Sequence, residues 1–153
     1  DDVLTLYILG ERLTHLADDK HAAETIRFWT NRMPMVHISI KIPLDELCDD
    51  SYDAPYHTEV GMAAVSKTIE RCSFLSDPPA EIVPAGKSLR TFIAVPDLFG
   101  ITPKDIATLR DYAKTNGYRF VHSTCGWVTM CSYGDGETLY YVLIRARVEK
   151  TGG

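Results

Sequence analysis

The strongest constraint on the fold is an order that occurs twice along the chain: strand, helix, strand, strand. The second copy opens at Glu81-Ile82-Val83-Pro84-Ala85-Gly86-Lys87-Ser88-Leu89-Arg90-Thr91-Phe92-Ile93-Ala94-Val95. Pro84 fixes its own φ and Gly86 tolerates a positive one, so these residues read as a turn feeding a strand. Beyond the turn, Leu89, Thr91, Ile93 and Val95 alternate with Ser88, Arg90, Phe92 and Ala94, the period of two that a half-buried strand requires. The first copy runs from Leu4 to Val65. Residues 3–67 and 81–150 are therefore expected to be two halves of one domain covering 1–153, with 68–80 as the linker.

In the first half, the apolar run Val3 to Leu9 predicts a strand that continues loosely past Gly10 to Leu16. Asp18 or Asp19 is placed to cap a helix near Asp19–Met33, with Ala22, Ile26, Trp29 and Met33 at helical spacing on its apolar face. At that spacing Trp29 reads as core rather than as a ligand-stacking ring. Val36, Ile38, Ile40 and Ile42 alternate with His37, Ser39 and Lys41, which predicts a strand with one buried face and one polar or ligand-facing surface. The acidic segment with Asp45, Glu46, Asp49, Asp50 and Asp53 is a solvated loop or, more sharply, a lid. Tyr56 to Val65 reads as the next strand, with Gly61 marking a bulge or a close backbone approach.

The second half carries the best helix signature. Thr102 is placed as N-cap, Pro103 at the first helical position and Asp105 three beyond the cap. Ile101 and Ile106 form a hydrophobic staple, Ile106, Leu109 and Ala113 a buried stripe, and Asn116-Gly117 a stop, giving a helix over Pro103–Asn116. Phe120 to Ser132 and Thr138 to Val148 are expected as strands joined by a hairpin turn at 133–137. In the last strand Tyr140, Val142, Ile144, Ala146 and Val148 share the core face, and Tyr141, Leu143, Arg145 and Arg147 the other. The fold class is thus α+β: an antiparallel sheet with helices on one face and a cleft on the other.

Charge narrows the partners. The 153 residues carry a formal net charge of -5, which disfavours direct binding to nucleic acid, where phosphates call for a basic face. No apolar run is long enough to span a bilayer, and no secretory signal is visible. Cys48, Cys72, Cys125 and Cys131 lack CxxC spacing, and the simplest reading is reduced thiols in a cytoplasmic protein. His122 and Cys125 form an H-x-x-C pair with no second pair to close a zinc site, so no metal and no cofactor is expected. The chain begins at Asp1, which suggests a fragment or a processed product.

Three segments carry a family resemblance. Glu59-Val60-Gly61-Met62-Ala63-Ala64-Val65 resembles the EVGxPV end of the first half of the GyrI-like family. Val83-Pro84-Ala85-Gly86-Lys87 resembles its LPAGxY start of the second half, and Tyr140 to Val148 its closing strand. That family includes the effector-binding domains of MerR- and AraC-type multidrug-sensing regulators. The resemblance implies a cleft between the halves that binds small aromatic, often cationic molecules. It further implies DNA contact only through a domain absent from this chain, and it admits a homodimer of the full-length protein. Drug-sensing members often place an acid in the cleft on the last two strands. The matching positions here are Gly126 and Leu143, which carry no charge, so Glu59 is the candidate acid.

The expected ligand-binding set is Glu59, Trp127, Tyr141, Tyr56, Leu143, Gly126 and His37. Trp127, Tyr141 and Tyr56 supply stacking and cation–π contact, or serve as packing aromatics. Glu59 is either a cleft acid or a strand-end carboxylate in water, and His37 and His57 are either acid–base groups or surface residues. A ligand-sensing module is the first functional expectation, with no catalytic residue assigned. The alternative is a GyrI-like hydrolase in which Glu59 activates water while Trp127 or Tyr141 holds the substrate. A third and weaker expectation is a protein-binding inhibitor that uses the acidic loop.

Overall fold

The computed structural model describes residues 6–13, 24, 27–28, 31, 37–71, 80–132 and 138–152. Its strands are β1 (Leu6–Leu13), β2 (His37–Ile42), β3 (Glu59–Val65), β4 (Ala80–Val83), β5 (Ser88–Val95), β6 (Tyr118–Phe120), β7 (Thr124–Ser132) and β8 (Thr138–Lys150). Three helices are bounded: α1 (Leu44–Cys48), α2 (Ser66–Arg71) and α3 (Ala107–Thr115). Glu24, Arg27, Phe28 and Asn31 are also helical and exposed, in the span expected for the first helix. Asp18, Asp19, Ala22, Ile26, Trp29 and Met33, and the hairpin turn at 133–137, lie outside the described residues.

The strands form one sheet in the order β4-β1-β3-β2-β7-β8-β5, with β6 added beside β8. All described pairings are antiparallel. The order is a mirror: β1-β3-β2 from the first half meets β7-β8-β5 from the second, and β2 pairs with β7 where the halves join. Each half contributes its strands in the same internal sequence, which is the repeated unit expected from the chain.

Binary patterning fixes which face is covered. Ile40 and Ile42 of β2, Ile93 and Val95 of β5, and Val142, Ile144 and Ala146 of β8 enter one core with Ile101, Ile106 and Leu109 of the α3 region. Leu47 of α1 closes the same core, so the acidic segment carries a helical turn with a buried anchor. Arg110 holds this segment down, donating to the Asp49 carbonyl at 2.9 Å and the Asp50 carboxylate at 3.1 Å. The segment is thereby a fixed strap on the helix side rather than a lid over the opposite face.

Several boundaries differ from the sequence expectation. The capping chemistry holds: Asp105 accepts from the Thr102 N–H at 2.7 Å and from its hydroxyl at 3.1 Å. The helical ladder nevertheless starts only at Ala107, because residues 103–106 form a tighter turn first. The expected strand from Phe120 to Ser132 is two strands. Phe120 pairs with Val148 and Cys125 with Arg145, so four residues, 121–124, stand opposite two, 146–147, and the strand is interrupted at 121–123 before Thr124 pairs with Ile42. Residues 56–58 precede β3 rather than belonging to it, and the expected linker at 68–80 begins inside α2 and ends in β4.

The path from β4 to β5 determines the shape. These strands lie at opposite edges of the sheet, and four residues, 84–87, connect them. Six interstrand gaps in a flat sheet would span about 29 Å. The five steps from Val83 to Ser88 reach at most about 19 Å. The sheet must therefore curl until its edges approach, and the connector must cross the inside of the curl. Val83 packs with Ala63, Val65 and Trp127, and the Pro84 carbonyl accepts from Arg147 Nη1. These contacts place the connector on the face opposite the α3 core, which is the concave face. Arg147 fills the space where a Cβ on Gly86 would sit, so glycine is required for this close crossing.

Candidate functional site

Cross-strand register arranges the concave face in rows. One row is charged: Glu59, Lys41, Cys125, Arg145 and Arg90 follow one another across β3, β2, β7, β8 and β5. The next runs Gly61, Ser39, Trp127, Leu143 and Phe92. Beyond it, Ala63 pairs with His37, and Thr129 with Tyr141 and then Ala94. The period-two alternation of each strand puts these register positions on the face that the core residues leave free.

Trp127 leans toward the first half. Its ring stacks on His37, with centroids 4.6 Å apart and planes 7° from parallel. Arg145 approaches the same ring from β8, its Cζ 5.4 Å from the centroid. Trp127 Nε1 is buried and has no hydrogen-bond acceptor among the described residues. The first-half side of the curl is thereby filled: Gly61 and Ala63 are buried and Ser39 is fully so.

The second-half side is open. Phe92 is 78% exposed and Tyr141 41%, with Leu143 half-buried between them. Arg90, also exposed, sits one row away. The three form an apolar shelf on β5 and β8, bordered by Trp127 on β7 and by the arginine end of the charged row.

Four of the seven expected site residues, His37, Trp127, Tyr141 and Leu143, come together on this face. Glu59 shares the face but stands at the far end of the charged row, 4.0 Å from Lys41 Nζ. Gly126 and Tyr56 are corrections. Gly126 pairs with Ile40 and Ile144, and a Cβ on it would strike Ile40, so it faces the α3 core. Tyr56 is 2% exposed in that core, stacked on Tyr52 at 5.4 Å, with Arg110 Nη1 donating to its hydroxyl at 3.4 Å. Burial raises the Tyr56 phenol above its ordinary value, although Arg110 opposes the shift.

A separate groove of about 400 Å³ brings Tyr56 and Glu59 together with Pro55, His57 and Phe99 at the helix-side end of the sheet. His57 is committed there to Glu46, whose carboxylate takes both its backbone N–H and its Nδ1. Phe92 and Arg90 also border this face and are absent from the set expected from the sequence. Their strand alternation was visible, but only the register with Leu143 and Arg145 shows what they border.

Among the described residues, no three His, Cys, Asp or Glu side chains gather where they could hold a metal. No helix among the described residues is long and apolar enough to cross a membrane. No protein-family model matches the chain, and no curated protein matches it. Among solved structures, the crystal structure of the EcmrR C-terminal domain is similar over 97% of this chain and 92% of that one, at 12% identity and a TM-score of 0.53. That likeness shows the fold alone: a curled antiparallel sheet with few helices, consistent with the fold that the motifs around Glu59 and Pro84 implied.

Proposed function

We propose that this chain is the ligand-sensing effector-binding domain of a cytoplasmic transcription regulator. Its ligand is a small aromatic molecule that lies on the open half of the concave face. The observation that carries this reading is the exposed row of Phe92, Leu143 and Tyr141 beside Trp127, on the face that the core does not use. Apolar side chains exposed together inside a curl, and not scattered singly, are what a flat aromatic ligand needs. The GyrI-like fold and the three sequence motifs support the regulatory part of the reading. DNA contact belongs to a separate domain of the parent protein, which acts as a homodimer.

The hydrolase reading draws less support, since Glu59 is ion-paired with Lys41 and stands across the sheet from the open shelf. Calorimetric titration with neutral and charged naphthalene derivatives tests the binding reading against wild type, Tyr141→Ala and Phe92→Ala. Removing a stacking ring should weaken binding by about 1–2 kcal/mol, roughly five- to thirty-fold. Ligands that bind with the same affinity to wild type and to both variants would place the site elsewhere.

A further inference from the structure

We infer that the outer edge of β5 is where two copies of this chain join, pairing antiparallel about a two-fold axis at Thr91. The inference stands apart from the ligand reading above, although Phe92 belongs to both. β5 ends the sheet and pairs only with β8 among the described residues. One contact fixes the direction of its backbone groups: the Val148 N–H donates to the Lys87 carbonyl at 3.1 Å. Lys87 and Val148 continue the register of Ser88 with Arg147, so Leu89, Thr91, Ile93 and Val95 turn their N–H and C=O groups to β8. Ser88, Arg90, Phe92 and Ala94 turn theirs outward, where no strand among the described residues meets them.

An open ladder templates pairing, and edge strands are ordinarily kept short, bulged, or broken by proline or lysine. β4, at the opposite edge, fits that rule, with 4 residues leading into Pro84. β5 does not: it runs 8 residues in unbroken register with β8 and contains no Pro, Gly or Lys. Its Phe92 is the most exposed large apolar side chain among the described residues. A groove of about 270 Å³ lies beside it, walled by Leu89, Thr91, Leu109 and the exposed Tyr112, and gives a second strand room to approach. The residues of the edge select the register. An axis at Thr91 sets Ser88 against the partner's Ala94 and Arg90 against the partner's Phe92, so every outward residue pairs with another. Each arginine then meets an exposed ring, a favourable cross-strand pair. An axis at Arg90 would oppose two guanidiniums, and an axis at Phe92 would set Ser88 against a proline, Pro96, that has no N–H to give. The contact is isologous and closes on itself, so it yields a dimer and not a fibre. It also brings the partner's Arg90 beside the Phe92 end of the shelf.

The test is analytical ultracentrifugation of the 153-residue chain over a wide concentration range, with wild type and Ala94→Pro. Proline at this exposed position removes an outward N–H and no bond to β8, so the strand tolerates it while the dimer loses a hydrogen bond from each copy. Wild type is expected to dimerise reversibly, and Ala94→Pro to weaken the dimer at least about tenfold. Circular dichroism checks that the variant is folded. Thr91→Cys provides a measurement independent of it, in a Cys48→Ser background that removes an exposed native thiol. Opposed residues of a non-hydrogen-bonded pair have Cα atoms about 4.5 Å apart, within disulfide reach, so Thr91→Cys should cross-link on mild oxidation. Ala94→Cys in the same background should not, because the register holds its two copies about 20 Å apart along the strand. A wild type that stays monomeric, a dimer indifferent to Ala94→Pro, or cross-linking of Ala94→Cys as fast as that of Thr91→Cys overturns the inference. Naphthalene binding by a monomeric wild type overturns this inference alone, and a dimeric wild type that binds no naphthalene derivative overturns the ligand reading alone.

Discussion

Replacing Gly126 with alanine decides which way the centre of β7 faces, because the two placements give effects of opposite sign. A Cβ at this position would sit 2.7 Å from Ile40 Cγ1, 3.0 Å from Val142 Cγ1 and 3.2 Å from Ile40 Cδ1. Carbon atoms in contact prefer about 3.5–4.0 Å, so Ile40 or Val142 must move. Both are fully buried at 0% exposure, and Ile40 is the direct strand partner of Gly126, which leaves little room to yield. Overpacking of this kind costs about 1–3 kcal/mol. The lost freedom of the unfolded chain returns about 0.4–1 kcal/mol. The net expectation is destabilisation by roughly 1–2 kcal/mol, or a fall in Tm of roughly 2–8 °C for a chain of this size.

Thermal and urea unfolding of wild type and Gly126→Ala measure it directly. Had Gly126 lined the concave face, the added methyl would meet open space and only the entropic gain would remain. A variant as stable as wild type, or more stable, therefore refutes the placement and with it the assignment of the two faces. The urea slope should not change, since the methyl alters packing and not the surface exposed on unfolding.

Two further outcomes follow from the helix side. Arg110→Ala removes donors from the Asp49 carbonyl, the Asp50 carboxylate and the Tyr56 hydroxyl, and should cost about 1–3 kcal/mol; an unchanged denaturation midpoint would show that Arg110 is not what holds the acidic strap. Burial lifts the Tyr56 phenol above its ordinary value of 10.0, so the folded state keeps a proton that the unfolded state releases. Its contribution is present below about pH 10 and declines as pH rises through the raised value. Urea midpoints between about pH 8 and about pH 11 should fall more steeply for wild type than for Tyr56→Phe, and parallel profiles would argue against that role.

Much of the fold was legible because it depends on period alone. The alternation at Val36–Ile42 put Ile40 and Ile42 in the core and His37, Ser39 and Lys41 on the other face, which is how β2 sits. The same parity separated Val142 and Ile144 from Tyr141 and Leu143. What escaped depended on pairing between distant strands. Gly126 was placed in the cleft by motif correspondence, yet strand parity alone puts it on the face opposite Trp127. Tyr56 shares its parity with the core residue Val60 in the run 56–60, which places it on the face opposite Glu59, and the stacking on Tyr52 and the Arg110 contact hold it there. The helix cap at Thr102 and Asp105 was chemically visible, but a cap fixes where hydrogen bonding begins and not how tight the first turn is. The bulge between β6 and β7 follows from β8 serving two partners, which no local pattern encodes.

The connector at 84–87 ties these observations to function. Locally it reads as an ordinary turn, and as a turn it would join neighbouring strands. Because it joins opposite edges of the sheet, its length sets the curl, and the curl gives the sheet a concave inside. Val83 and Trp127 then fill the first-half side against Ala63, while Arg147 is drawn to the Pro84 carbonyl at the crossing. The side left open carries Phe92, Leu143 and Tyr141 with Arg90 and Arg145 in the adjoining row. Lengthening the connector with two glycines should relax the constraint without touching any strand. The sheet would open, Trp127 would lose its Val83 contact, and aromatic binding at the shelf should weaken while the α3 core stays intact. Tryptophan emission shifted to the red together with a reduced ligand affinity, at nearly unchanged helix content, is the expected result. An insertion that changes neither emission nor affinity would mean that the curl is maintained by the sheet's own twist, and that the connector merely follows it.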